Sequence, residues 1–120
     1  MPDGGLTASL ARALPRQLAM EMCLLAQPVT VERMHDLGVV NVVTEKGDAF
    51  DAAMALADRL AAGPRDAQGV IRGLVAQAYD VSEADQLDAE CDAMAHATGA
   101  DEAAEGIAAF LEKRTPNYGG

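Results

Sequence analysis

The chain has 120 residues, of which 50% are apolar, and it carries a formal net charge of −10 at pH 7. A field of that sign repels phosphate backbones and anionic lipid surfaces, so we expect no nucleic-acid partner and no membrane partner. Aromatic residues make up only 3% of the chain, which favours closely packed helices over strands. The composition predicts a mainly α fold with at most one short strand, in a single domain of residues 1–120.

The first 43 residues predict a turn, short helices and one strand. Residues 1–14 begin with Pro2-Asp-Gly-Gly5, which is typical of a turn because Pro fixes one φ and the glycines permit positive φ, and a short helix follows. In residues 15–43, apolar spacing predicts two helices, and the β-branched run Val39–Val43 predicts a strand. An unpaired apolar strand tends to recruit another chain, so Val39–Val43 is a candidate oligomer contact.

Residues 48–114 predict four further helices, followed by a tail at 115–120. Asp48 and Ser82 are suited to cap the first and third of these helices, and Gly63-Pro64 separates the first from the second. The last helix has an apolar stripe that we expect to be buried: Ala103, Ile107, Phe110 and Leu111.

The cysteines and histidines indicate no metal site. Cys23 and Cys91 lack CxxC spacing and nearby histidines, so we expect buried free thiols in a reducing compartment. His35 and His96 are isolated from other ligand types. Since no segment is typical of a signal peptide or a membrane span, we expect a cytoplasmic protein.

Four segments in this order point to a known family: PDGGLT at 2–7, RQLAMEMCLLAQPV at 16–29, MHDLGVVNVV at 34–43 and EGIAAFLEKRTPNY at 105–118. Together they resemble the crotonase superfamily, the enoyl-CoA hydratases and isomerases. The resemblance spans nearly the whole chain but only the last part of a family member, which is usually more than twice as long. It therefore implies the multi-helix C-terminal region, which in the family covers the sheet core and builds trimer contacts.

The resemblance also implies which functional groups are to be expected. In the family, the Gly-rich oxyanion loops and two acid/base glutamates precede the turn that PDGG resembles, so here they would precede Met1. We therefore expect no hydration of a thioester by this chain alone. The expected partners are a second or third copy, an N-terminal crotonase fragment and a CoA thioester as ligand, with no other cofactor.

Three residues are candidates for site roles. By resemblance, Asp3 lies in a turn that faces the thioester pocket, where it is a candidate for proton transfer; the alternative is a turn residue bonded to its own backbone. Phe110 and Lys113 match family positions that contact the adenine and 3′-phosphate end of CoA, commonly CoA held by a neighbouring subunit. Their alternatives are a core phenylalanine and a solvated cation at the helix C-terminus.

The sequence leaves three interpretations of function open. The first is a C-terminal crotonase part that self-associates and binds acyl-CoA without being competent alone. The second is a working acyl-CoA hydratase or isomerase subunit, completed by a separate or omitted N-terminal half. The third is a stand-alone helical interaction module. The second interpretation would be favoured if the upstream coding sequence continued in frame and encoded a Gly-rich βαβ region with two glutamates.

Overall fold

The computed structural model describes residues 2–119, which contain seven helices and no strand. The mainly α fold predicted from the sequence is confirmed. The described residues fall into two compact units, unit 1 up to Ala53 and unit 2 from Met54 onward. Single-domain organisation stays a prediction.

Unit 1 begins with the predicted turn and holds three helices: α1 (Leu6–Ala13), α2 (Arg16–Leu25) and α3 (Val31–Asp36). Gly4 and Gly5 both have positive φ, and the Leu6 amide donates to the Asp3 carbonyl at 3.1 Å. The turn therefore has the left-handed geometry that glycine permits.

The junction of α1 and α2 forms the core of unit 1. Pro15 stands at the N-cap of α2, where its missing N–H removes no helical hydrogen bond. Leu14, Leu18 and Ala19 are buried there, where the two helices meet. Burial of these side chains fixes the angle at which the chain turns from one helix into the next.

Both ends of α3 are set by residues next to the helix in the chain. The Thr30 hydroxyl accepts from the Arg33 amide at 3.3 Å, which satisfies one free donor of the first turn. Gly38 has φ +76°, and its amide donates to the His35 carbonyl at 2.8 Å. A glycine in this position ends the helix without a side-chain clash.

The predicted strand at Val39–Val43 is wrong, since this segment is bent and irregular. The amides of Val39 and Val40 both donate to the Met34 carbonyl, and the Val40 carbonyl lies 2.8 Å from His35 Nδ1. Three of the backbone groups that a strand would offer to a partner are thus used by the end of α3.

Helix α4 (Ala49–Ala61) runs across the division, and unit 2 continues with α5 (Arg65–Gln77), α6 (Glu83–Thr98) and α7 (Asp101–Glu112). Helix α6 packs against both α5 and α7. The Ser82 hydroxyl accepts from the Asp85 amide at 3.2 Å, so the predicted cap of α6 is confirmed. Gln86 joins α6 to α5, because its amide donates to the Leu74 carbonyl and accepts from Gln77.

The N-terminus of α5 is capped by a residue from another helix. Pro64 provides no side-chain cap for α5. Instead, the two carboxylate oxygens of Glu102 accept from the amides of Asp66 and Ala67 at 3.0 and 3.2 Å. The first turn of α7 thereby places a negative charge at the positive end of α5.

Unit 2 buries few side chains, and the buried stripe predicted for α7 is wrong. Among its described residues only Ala109 is buried, whereas Ile107, Phe110 and Leu111 are exposed. The prediction of buried thiols is also wrong, because Cys91 is exposed and Cys23 is half-buried, although both are free. A helical stripe shows which side chains share a face, but a face is buried only where another element covers it.

None of the seven helices between residues 2 and 119 has the length and apolarity needed to cross a bilayer. The cytoplasmic location stays a prediction.

Removing the Glu102 cap should destabilise unit 2. Glu102→Ala leaves two amides of the α5 first turn without a partner, so we expect a loss of about 1 to 2 kcal/mol in the free energy of unfolding, measured by urea denaturation. Glu83→Ala is the matched control, because Glu83 also lies in a first turn, that of α6, but forms no side-chain hydrogen bond within residues 2–119. Equal losses in the two variants would show that the α5 cap contributes nothing.

Candidate functional site

Two of the three candidate site residues, Phe110 and Lys113, lie at the C-terminal end of α7. This helix ends in a Schellman arrangement, in which the Arg114 amide donates to the Ala109 carbonyl at 3.0 Å and the Lys113 amide to the Phe110 carbonyl at 3.3 Å. Lys113 occupies the left-handed position, with φ 55° and ψ 38°. Glycine is usual in this position, and a side chain there costs about 1 to 2 kcal/mol.

The Arg114 side chain fastens this turn to α7. Its Nη1 and Nη2 donate to Glu105 Oε1 and Oε2 at 2.6 and 2.9 Å, and its Nε donates to Glu112 Oε2 at 2.6 Å. This is the bidentate geometry in which a guanidinium and a carboxylate form their strongest hydrogen bonds.

The tail after Arg114 returns along α7 to the same carboxylate. The Asn117 amide donates to Glu105 Oε1 at 2.6 Å. Tyr118 lies so close to Gly106 that a Cβ there would stand 3.2 Å from the tyrosine hydroxyl. Glu105 therefore anchors the tail, and the next residue lacks a side chain where the tail passes. We call Glu105, Glu112, Arg114 and Asn117 the C-terminal clamp.

Hydrogen bonding within the clamp shifts the titration of its members. The Arg114 guanidinium, followed by the Asn117 amide, lowers the pKa of Glu105 from 4.5 to about 2. The carboxylates of Glu105 and then Glu112 raise the pKa of Arg114 above its ordinary value. Glu105 thus stays ionised throughout the neutral and mildly acidic range.

Phe110 and Lys113, the CoA candidates, are both accessible at this end of α7. The Phe110 side chain is 82% exposed, so its alternative role as a core residue is wrong for this chain. The Lys113 side chain is exposed as well, and within residues 2–119 it forms no ion pair or hydrogen bond. A flat apolar ring and an unengaged ammonium are therefore present on one helix end.

Asp3 belongs to unit 1, whereas the clamp belongs to unit 2. Its side chain is exposed, and its carbonyl closes the turn before α1 by accepting from the Leu6 amide. The backbone thus has the geometry of a turn, but the Asp3 side chain forms no hydrogen bond within residues 2–119. Its catalytic role stays a prediction.

An apolar groove of about 1160 Å³ also runs through unit 2, and the sequence did not predict it. It lies among α5, α6 and α7, and Tyr118 of the tail contributes to its lining. The principal apolar side chains in the lining are Val70, Ile71, Leu74, Leu87, Met94 and Ile107. The available signal was the spacing of Leu87, Cys91 and Met94 along α6, at steps of four and three residues, because all three side chains line the groove.

Neither histidine is part of the C-terminal clamp, while His96 lies in the lining of the groove. His35 Nδ1 lies 2.8 Å from the Val40 carbonyl, and His96 Nδ1 lies 2.8 Å from the Asp92 carbonyl; both side chains are exposed. In the part of the chain that the structure describes, no three His, Cys, Asp or Glu side chains are grouped as metal ligands would be.

A sequence model of the enoyl-CoA hydratase/isomerase family matches residues 1–120. The chain belongs to this family. The family expected from the four sequence segments is thus confirmed.

Individual relatives agree with this membership. The chain is similar to an enoyl-CoA hydratase of Mycobacterium tuberculosis, with 31% identity over 98% of this chain and 44% of the relative. It is similar to a 1,2-epoxyphenylacetyl-CoA isomerase of Escherichia coli, with 33% identity over 100% of this chain and 46% of the relative. The crystal structure of an enoyl-CoA hydratase from Polaromonas sp. JS666 matches with a TM-score of 0.92 and 41% identity, over 97% of this chain and 45% of that one.

The chain of this enoyl-CoA hydratase/isomerase family member thus spans somewhat less than half the length of these relatives. The helical arrangement described above is that of the matching part of the family fold.

The C-terminal clamp predicts a specific pH dependence. Because the pKa of Glu105 is lowered from 4.5 to about 2, the clamp stabilises the fold above the ordinary pKa, and this contribution is lost as the pH falls through 4.5 towards 2. Glu105→Gln should lower the thermal midpoint by a constant amount between about pH 5 and pH 7, and by a shrinking amount below about pH 4.5. Circular dichroism melts of the wild type and the variant measure this gap.

Glu45→Gln is the control for the clamp melts, since Glu45 is exposed and forms no side-chain hydrogen bond among the described residues. The difference in thermal midpoint between Glu45→Gln and the wild type should stay near zero at every pH of the series. A Glu105→Gln gap as large near pH 3 as at neutrality would contradict the ionised clamp.

Proposed function

We propose that this chain is the CoA-capping and self-associating part of an enoyl-CoA hydratase/isomerase family protein. The observation that carries the proposal is the end of α7, where Phe110 is exposed and Lys113 is unengaged among the described residues. These are the two positions that the family resemblance assigns to the adenine and 3′-phosphate end of CoA.

The chemistry of these two side chains suits that ligand. An aromatic face accepts a nucleobase by stacking, and a lysine ammonium meets a phosphate as a mobile point charge. Because the chain has a net charge of −10, an anion can be bound only where a local cation outweighs the general field. Arg114 is engaged by two carboxylates, so Lys113 is the cation that is available here.

We further propose that the chain alone does not hydrate or isomerise an enoyl-CoA. Stabilising the thioester enolate requires preorganised donors, and losing one of them costs about 3 kcal/mol of barrier. The 120 residues correspond to under half of the relatives' length, and Asp3 is an exposed turn residue rather than a carboxylate in a dry pocket. In this proposal, an N-terminal crotonase fragment completes the working hydratase or isomerase.

Self-association as a dimer or trimer is supported by apolar surface that the chain leaves uncovered. Ile107, Phe110 and Leu111 are exposed on α7 at spacings of three and four residues, so they form one face. Contiguous apolar surface on this scale is typical of interaction sites. A stand-alone interaction module would use the same surface but would not need the CoA positions.

The CoA proposal predicts binding without turnover. The pure chain should bind crotonyl-CoA and produce no hydrated product, and Phe110→Ala should weaken binding about tenfold through loss of base stacking. Titration calorimetry measures binding, and the absorbance of the enoyl thioester measures turnover.

The chain provides its own control, since its second phenylalanine, Phe50, is also highly exposed at 72% but lies on α4. Phe50→Ala should bind as the wild type does. Steady turnover of crotonyl-CoA would refute the inactive state, and equal weakening in the two variants would refute the CoA role of Phe110.

The self-association proposal predicts a mass above that of the 12.5 kDa monomer. The chain should sediment as a dimer or trimer at micromolar concentration, and Leu111→Asp should shift it towards monomer because a charge cannot be buried unpaired in an interface. Leu24→Asp is the matched control, with a leucine 71% exposed on α2 against 74% for Leu111. A compact wild-type monomer would contradict the proposal.

A further inference from the structure

Lys113 is held in a backbone conformation that lysine rarely adopts. Its φ of 55° and ψ of 38° are left-handed, and such a conformation persists only where the surroundings determine it. The surroundings here are the residues on either side of Lys113. Glu112 and Arg114 are joined across it at 2.6 Å, and the Arg114 amide is bound to the Ala109 carbonyl.

The same turn is tied to the body of α7 through Glu105. This carboxylate holds the Arg114 guanidinium in bidentate fashion and also accepts from the Asn117 amide. The chain is therefore anchored before and after residue 113, which fixes the direction of its Cα–Cβ bond. The Lys113 side chain itself engages no described residue, so its ammonium remains available to a ligand.

Arg114 also removes a competing attraction. Glu105 and Glu112 are carboxylates close in sequence to Lys113, and unpaired they would attract its ammonium and repel an approaching phosphate. Arg114 engages both at 2.6 Å. The two basic residues of the Lys113-Arg114 pair thus have different tasks, because one neutralises the clamp and the other stays free.

We propose that Glu105 and Arg114 are positioning residues for phosphate binding by Lys113, acting through the backbone of residue 113 and through neutralisation of the clamp carboxylates. The inference rests on the proposed function, in which Lys113 meets the 3′-phosphate of CoA. Neither residue touches the phosphate in this proposal.

The test compares CoA with 3′-dephospho-CoA, two ligands that differ only in that phosphate. Titration calorimetry of the wild-type chain should give about tenfold tighter binding of CoA, the size expected for one charge-assisted contact. Glu105→Gln and Arg114→Lys should reduce this preference to about twofold. Their affinity for dephospho-CoA should equal that of the wild type, because the adenine and thiol ends are untouched.

Three further variants separate positioning from general damage. Lys113→Gln should abolish the preference, and adding Glu105→Gln to it should cause no further loss, as expected for residues that act through the same contact. Asp88→Asn removes an exposed carboxylate of α6, away from the clamp, and should retain the full preference. If Glu105 and Arg114 had only a structural role, the clamp variants would bind CoA and dephospho-CoA more weakly by the same factor.

NMR of the ligand-free chain tests the backbone conformation of Lys113 directly. The HN–Hα coupling and Cα shift of Lys113 should indicate a left-handed residue in the wild type and lose that signature in Glu105→Gln. A signature retained in the variant, or a CoA preference unchanged in both clamp variants, overturns the positioning role alone. Failure of the wild-type chain to bind either ligand overturns the proposed function instead.

Discussion

The bidentate ion pair between Glu105 and Arg114 organises the end of this chain. It connects the middle of α7 to the first residue beyond its C-terminal turn, and the same carboxylate receives the Asn117 amide. Because these bonds converge on one side chain, the helix end, the tail and the left-handed Lys113 depend on a single group. Exposed ion pairs usually contribute little, but a bidentate pair with a third donor is geometrically specific.

The clamp has a further importance because the chain is so acidic. With nineteen acidic and nine basic residues, the general field opposes any anionic ligand. A local anion site then needs its own carboxylates neutralised and one cation left over. The end of α7 meets this requirement with two carboxylates, one guanidinium and one ammonium that no described residue engages. The arrangement gives the EGxxxFxEKRxxNY pattern of residues 105–118 a physical meaning beyond its use as a family signature.

Uncovered apolar surface is the second constraint on this protein. The described residues bury only Leu14, Leu18, Ala19 and Ala109, while large apolar side chains on α2, α4 and α7 remain exposed. A chain of this size normally buries about two-thirds of the surface of its unfolded state, with its large apolar side chains inside. The helices instead leave apolar side chains exposed, and unit 2 contains an apolar groove, so the proposed self-association has surface to use.

The sequence by itself determined the local elements and the family. Caps at Thr30 and Ser82, the glycine stop at Gly38 and the proline break before α2 were all predictable, because each depends on a residue and its near neighbours. The four ordered segments identified the family for the same reason. Only the tertiary structure decided that Glu102 caps α5, and that Arg114 is engaged while the Lys113 ammonium has no partner among residues 2–119. It also decided that Val39–Val43 is no strand and that the α7 stripe is exposed. These outcomes depend on groups far apart in the chain or on which faces find a cover, and periodicity contains neither kind of information.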